Sequence, residues 1–253
     1  MTSPRYPTPQ HERAAVEITS FFETHHDTQA VLLTNSCARG RATPDSCLDM
    51  QVLTRTDRVG YLEQAWGGFA AGNAAIAELN AVGRWTDVHL DVTDGQFEVW
   101  PIEHELDWLE VRIGNLLAYS VVLLERGDHL RELRDEWLPF YGDGLRAERL
   151  LGSREACLGY LARIPWFLDR ELWFQALARL HGAFSWFLLA LHIKHRTYPI
   201  SYDKWIREQI VDNLAMPQLY ERLPRLFEIH HLESRELEQK ASDLRELVET
   251  YLA

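Results

Sequence analysis

Between Leu32 and Met50 the chain reads LLTNSCARGRATPDSCLDM, and between Thr86 and Val92 it reads TDVHLDV. Thr28 to Thr34 (TQAVLLT) is short and β-branched at its centre, which predicts a strand. Asn35 to Asp45 is small, polar and interrupted by Gly40 and Pro44, as a functional loop would be. In Cys47 to Leu53 the apolar Leu48, Met50 and Val52 alternate with Cys47, Asp49 and Gln51. A period of two belongs to a strand with one open face, and it puts Asp49 opposite the core. Trp85 to Thr93 repeats the pattern, with Val88, Leu90 and Val92 on one face and Asp87, His89 and Asp91 on the other. Asp94-Gly95 is a dipeptide that closes tight hairpins, so a returning strand is expected over Gln96 to Pro101.

Outward from these stretches the periodicity becomes helical. Gln10 to His26 carries Ala14, Val16, Ile18, Phe21 and Phe22 at spacings that predict a first amphipathic helix. Arg58 to Val82 reads as one long helix weakened by Gly67, Gly68 and Gly72, each costing up to about 1 kcal/mol relative to Ala. Beyond about Glu103 nearly everything is helical except one expected strand, Tyr119 to Leu124. Leu172 to His195 bears the stripe Trp173, Leu177, Leu180, Phe184, Phe187, Leu188 and Leu191 of a helix buried in a bundle. Tyr198-Pro199 interrupts it, Lys204-Trp205 begins another helix, and the amphipathic run Glu233 to Leu252 closes the bundle. The expected class is α+β, with a mixed-sheet domain over residues 1–103 and a mainly α-helical bundle domain over 104–253.

Composition narrows the function classes. The 253 residues are 46% hydrophobic and 25% charged, which excludes a disordered or collagen-like chain. Lys and Arg total 26 against 38 Asp and Glu, a net charge of −12 that disfavours duplex nucleic acid as partner. Met1 to Gln10 has no apolar leader region, and the uninterrupted apolar runs fall short of the roughly 20 residues of a membrane span. The expected location is cytoplasmic, with no membrane partner. Cys37, Cys47 and Cys157 lack CxxC spacing and read as reduced thiols.

The quoted residues resemble the nucleotidyltransferase superfamily that includes the kanamycin and lincosamide nucleotidyltransferases and DNA polymerase beta. Its signature is a strand ending in Gly-Ser, a loop often containing Ala-Arg-Gly, a strand with Asp-x-Asp, and a third carboxylate on an adjacent strand. Ser36 matches the serine, Ala38-Arg39-Gly40 the loop motif, Cys47-Leu48-Asp49 the paired acids, and Asp87 the third acid. The segment YSVVLLERGDHLREL from Tyr119 and the segment HIKHRTYPISYDKW from His192 are similar to later parts of bacterial members.

The resemblance implies transfer of a nucleoside monophosphate, AMP from ATP in the first instance, to a hydroxyl of a small molecule such as an antibiotic. Two Mg²⁺ ions would activate the acceptor and carry the triphosphate. Asp49 and Asp87 would be the catalytic, metal-binding carboxylates, since alternate strand residues point to one side. Asn35, Ser36, Arg39 and Lys204 would contact the nucleotide, and the excess of acids in the helical half suits a cationic acceptor.

Two positions depart from the pattern. Asn35 replaces glycine, which is tolerable because Asn enters left-handed backbone more easily than most residues. Cys47 replaces the first aspartate, and a thiol is a soft ligand poorly matched to Mg²⁺. Asp45, His89, Asp91 and Cys47 itself are the weaker candidates to complete the metal set. A second reading follows: a catalytically impaired homologue that serves as a nucleotide-binding or protein-interaction module. Arg39 and Lys204 read equally well as structural or surface cations. The pairs His192/His195, His25-His26 and His230-His231 read as ordinary histidines, with no further ligand pattern beside them.

Overall fold

The computed structural model describes residues 4–100, 102 and 106–252. In chain order the elements are α1 (Pro9–Glu23), β1 (Ala30–Leu33), α2 (Asn35–Ala38), β2 (Leu48–Leu53), α3 (Val59–Ala70), α4 (Ala74–Asn80), β3 (Val88–Thr93), α5 (Leu109–Ile113), β4 (Val121–Glu125) and α6 (His129–Trp137). They continue with α7 (Asp143–Ala162), α8 (Ile164–Leu168), α9 (Trp173–Lys194), α10 (Pro217–Arg222) and α11 (Glu236–Tyr251). The class is α+β. Two compact units divide the chain: Met1–Glu98 with Arg112–Pro139, and Val99–Val111 with Phe140–Ala253.

The first unit is built on one mixed sheet of order β3-β2-β1-β4. β1 runs antiparallel to both β2 and β4, while β2 and β3 are parallel with Asp49 opposite His89 and Gln51 opposite Asp91. β1 is AVLL, fully buried along its length, as a central strand covered on both faces must be. The expected alternation in β2 holds, with Leu48, Met50 and Val52 at 0–1% exposure and Asp49 and Gln51 partly open. Ala14, Ala15, Ile18 and Phe22 of α1 join this core with Leu62 of α3 and Ile76 and Leu79 of α4. Each such large side chain withdrawn from water contributes about 1.5–3 kcal/mol.

Three expectations are corrected. The helix expected over Arg58 to Val82 is two helices, α3 and α4. Gly72 lies at the break, and Asn73 starts the second by accepting a hydrogen bond from the Ile76 amide at 3.1 Å, an N-cap that favours a fresh start over continuation. The hairpin at Asp94-Gly95 does not form, and Gln96 to Trp100 belongs to no strand, Pro101 lying outside the described residues. Asp94 instead accepts from the Gln96 amide and from the Thr56 hydroxyl, a side-chain turn that leads the chain off the sheet. Gly95 sits at φ 74°, and a Cβ there would lie 2.4 Å from a Leu133 methyl. The strand expected over Tyr119 to Leu124 is β4, and it pairs with β1. A single division at residue 103, itself outside the described residues, therefore separates one strand from its sheet.

The second unit is helical. α9 is its buried centre, with Ala183 to Ile193 withdrawn from solvent almost without interruption. Its length and apolarity would also suit a membrane span, but 72% of that window is buried within the protein, as in a core helix. Gly182 lets the Tyr160 ring of α7 approach, since a Cβ there would meet the ring at 2.5 Å.

Arg149 of α7 is 1% exposed and uses its whole guanidinium. Nε and Nη2 donate to Glu110 at 2.6 and 2.8 Å, Nη2 and Nη1 to Asp107 at 2.8 and 3.1 Å, and Nη1 to the Trp100 carbonyl at 3.1 Å. The Tyr141 hydroxyl donates to the same Glu110 at 2.5 Å.

Candidate functional site

The candidate site lies in the first unit, where β1 ends and β2 and β3 begin. After Leu33 the backbone turns sharply: Thr34 donates its amide to the Asp49 carbonyl at 2.9 Å, and Asn35 adopts φ 52°. This is the left-handed conformation that Asn tolerates better than most side chains. A single helical turn follows, with Ser36 half-buried and Cys37 fully buried. The Ser36 carbonyl accepts from the Arg41 amide at 2.9 Å, and Gly40 at φ 66° ends the turn with the Arg5 side chain packed over it.

A residue absent from the motif reading fixes the far end of this loop. His11 of α1 is fully buried, with Nε2 2.9 Å from the Ser46 carbonyl and Nδ1 2.7 Å from the Thr8 hydroxyl. The loop is tightened further where the Thr43 amide donates to Ser46 Oγ at 2.9 Å. Thr8, the helix cap three residues before His11, was a readable sign of the helix start, but nothing local to His11 marks Ser46 as its partner.

Asp49 and Gln51 alternate along β2 with Cys47 immediately before it, and His89 and Asp91 alternate along β3 with Asp87 immediately before it. The Leu48 amide donates to the Asp87 carbonyl at 2.9 Å, which sets Asp87 beside the start of β2. Asp49 has 19% side-chain exposure, and its Oδ1 lies 3.3 Å from His89 Nδ1. Asp87 is exposed and accepts from the Val88 amide at 2.8 Å. The Cys47 thiol donates to the Trp85 carbonyl at 3.2 Å. Burial, reinforced by the charges of Asp49 and Cys47, pushes the Cys37 thiol up to about 12, against a smaller opposing hydrogen bond from Ser36. Cys37 is therefore a neutral thiol at pH 7, donating to the Cys47 carbonyl at 3.6 Å.

The arrangement brings Ser36, Cys47, Asp49, Asp87 and His89 to one end of the sheet, while Asp91 lies two residues farther along β3. It does not bring together a metal cage. Among the described residues no group of three His, Cys, Asp or Glu side chains could hold a metal ion. The donor chemistry agrees: the thiol at Cys47 is soft, which leaves Asp49 and Asp87 as the carboxylates at this edge, whereas two Mg²⁺ ions need several hard oxygens converging. The residues present therefore do not fit a two-metal centre. Asp45 is exposed and stands against Gly83, where a Cβ would lie 2.4 Å from its Oδ1.

Lys204 lies in the second unit with its side chain exposed and its carbonyl accepting from Gln209 at 2.8 Å. His192 is wholly buried with Nδ1 2.9 Å from the Thr197 hydroxyl, and His230 pairs with Glu236 at 3.0 Å.

No family model matches the chain, and no curated protein matches it. Among solved structures it is similar to a nucleotidyltransferase-like protein from Exiguobacterium sibiricum, at 16% identity and a TM-score of 0.48, covering 94% of this chain and 74% of that one.

Proposed function

We propose that this chain is a nucleotidyltransferase-like protein that binds a nucleoside triphosphate beside the β1–α2 turn and has lost the two-metal transfer step. The observation that carries the proposal is Cys47: the position of the first metal-binding acid holds a thiol, and that thiol is turned to the Trp85 carbonyl. The ligand class comes from the sequence resemblance over Ser36, Ala38-Arg39-Gly40 and Asp49. In this reading the Asn35 turn and the Ser36 hydroxyl meet phosphate oxygens, the Arg39 guanidinium, whose Nη1 and Nη2 are buried, supports the loop from within, and the Asp49–His89 pair is a hydrogen-bonded remnant of the acid cluster.

A second reading keeps the activity: transfer of AMP from ATP to a hydroxyl of a small molecule, Mg²⁺ being the ion that would screen the triphosphate. It is favoured by Asp49 on β2 and Asp87 immediately before β3 standing at the same end of the sheet.

Calorimetry with ATP, with and without Mg²⁺, and an assay of pyrophosphate release separate the two readings. The expected result is binding without turnover in the native chain, affinity reduced about fivefold or more in Ser36→Ala, and turnover gained only in Cys47→Asp. Metal-dependent turnover by the native chain rejects the impaired-site reading in favour of the second, and absence of ATP binding rejects both.

A further inference from the structure

The second unit holds a cavity of about 260 Å³ with a different chemistry from the sheet site. Phe184 of α9 forms its floor at 5% exposure with Leu223 at 2%, and Phe227, Tyr220 and Ile206 form apolar walls. Phe184 and Phe227 meet edge to face with ring centres 5.3 Å apart. Among the described residues the lining contains one carboxylate, Asp203, and one imidazole, His181, with no lysine or arginine.

Asp203 is held in place. The Ser201 hydroxyl donates to its Oδ1 at 2.6 Å. The loop that carries it is clamped by Gln209, which is 0% exposed: Oε1 accepts from the Ile200 amide, and Nε2 donates to the Ser201 and Lys204 carbonyls, all at 2.8 Å. Trp205, next but one in the loop, is fixed at φ 59°, a conformation that a bulky residue keeps only where its surroundings enforce it.

We propose that this cavity is a binding site for a small organic cation, an ammonium group carried on a one-ring apolar body. The aromatic walls bury the ring and present negative π faces to the cation. The Asp203 carboxylate supplies the complementary charge at the mouth. The volume falls just under the roughly 300–1,000 Å³ of drug-sized sites, which limits the body to about one ring. The net charge of −12 raises the local concentration of cations and lowers that of anions. The proposal is independent of triphosphate binding, because it uses none of those residues.

The test is calorimetry and ligand-observed NMR on the full chain with 2-phenylethylamine, and with phenylacetate and 2-phenylethanol as ring-matched anion and neutral. Saturable binding of the amine in the millimolar range or tighter is expected, with the anion much weaker. Asp203 is exposed, so Asp203→Asn leaves the fold intact and weakens the amine by about fivefold, while 2-phenylethanol is unaffected. Phe227→Ala weakens both. No saturable amine binding, equal binding of phenylacetate, or full affinity in Asp203→Asn overturns the proposal.

Discussion

Asp49 in the first unit and Glu110 in the second are both acids on regular elements, and their surroundings could hardly differ more. Glu110 is 0% exposed and accepts three hydrogen bonds, two from Arg149 and one from Tyr141. Asp49 has 19% side-chain exposure, and its carboxylate meets an exposed His89 at 3.3 Å. A buried charge must be fully partnered because its desolvation is otherwise uncompensated. A half-open carboxylate can be left with acceptor capacity in hand, so it is available to solvent or ligand. The Glu110 charge is spent on structure, whereas the Asp49 charge is left partly open to solvent.

Removing one side of the buried cluster should produce the largest effect. Arg149→Met leaves Asp107 and Glu110 facing each other without a cation, and a loss of about 3–5 kcal/mol is expected, read as a fall in the urea midpoint. A loss under about 1 kcal/mol would mean that the cluster contributes little to holding the second unit together.

Acidification tests the second unit again, through His192. Burial holds its imidazole down at about 3 in the folded chain, against about 6.5 when unfolded. Between those values the unfolded chain binds the extra proton, so stability is lost as pH falls, by up to about 1.4 kcal/mol for each pH unit. His192→Gln should flatten that slope in urea titrations at pH 7, 6 and 5. Identical slopes in the two proteins would locate the acid sensitivity elsewhere.

The smallest change is expected on the sheet face. Asp49→Asn should alter unfolding free energy by less than about 0.5 kcal/mol, the ordinary range for a surface position. A loss of 2 kcal/mol or more would place Asp49 with Glu110 as a structural acid and abolish the contrast.

What the sequence revealed tracks how local each constraint is. The strand of Leu48 to Leu53 was legible because one face meets solvent, so the alternation of Leu48, Met50 and Val52 with polar residues carries the register by itself. The Asn35 turn was legible from residue type. The break between α3 and α4 was not, because a glycine-weakened run and two short helices share one hydrophobic pattern, and only the cap at Asn73 decides between them. Asp94-Gly95 misled because the dipeptide serves a side-chain turn as well as a hairpin. His11 with Ser46, and Arg149 with Glu110, lie 35 and 39 residues apart, and no periodicity links them. Nor does the motif reveal that the Cys47 thiol bonds a carbonyl on the strand's approach.

The late arrival of β4 bears on how the molecule could be made or divided. A ribosome finishes β1 about ninety residues before Val121 emerges, so the central strand waits with one edge unpaired while the intervening chain is synthesised. A fragment ending near residue 103 would keep that edge permanently, with the apolar AVLL backbone offered to any other strand. Such a piece is expected to associate with itself, whereas the continuous chain closes the edge from within.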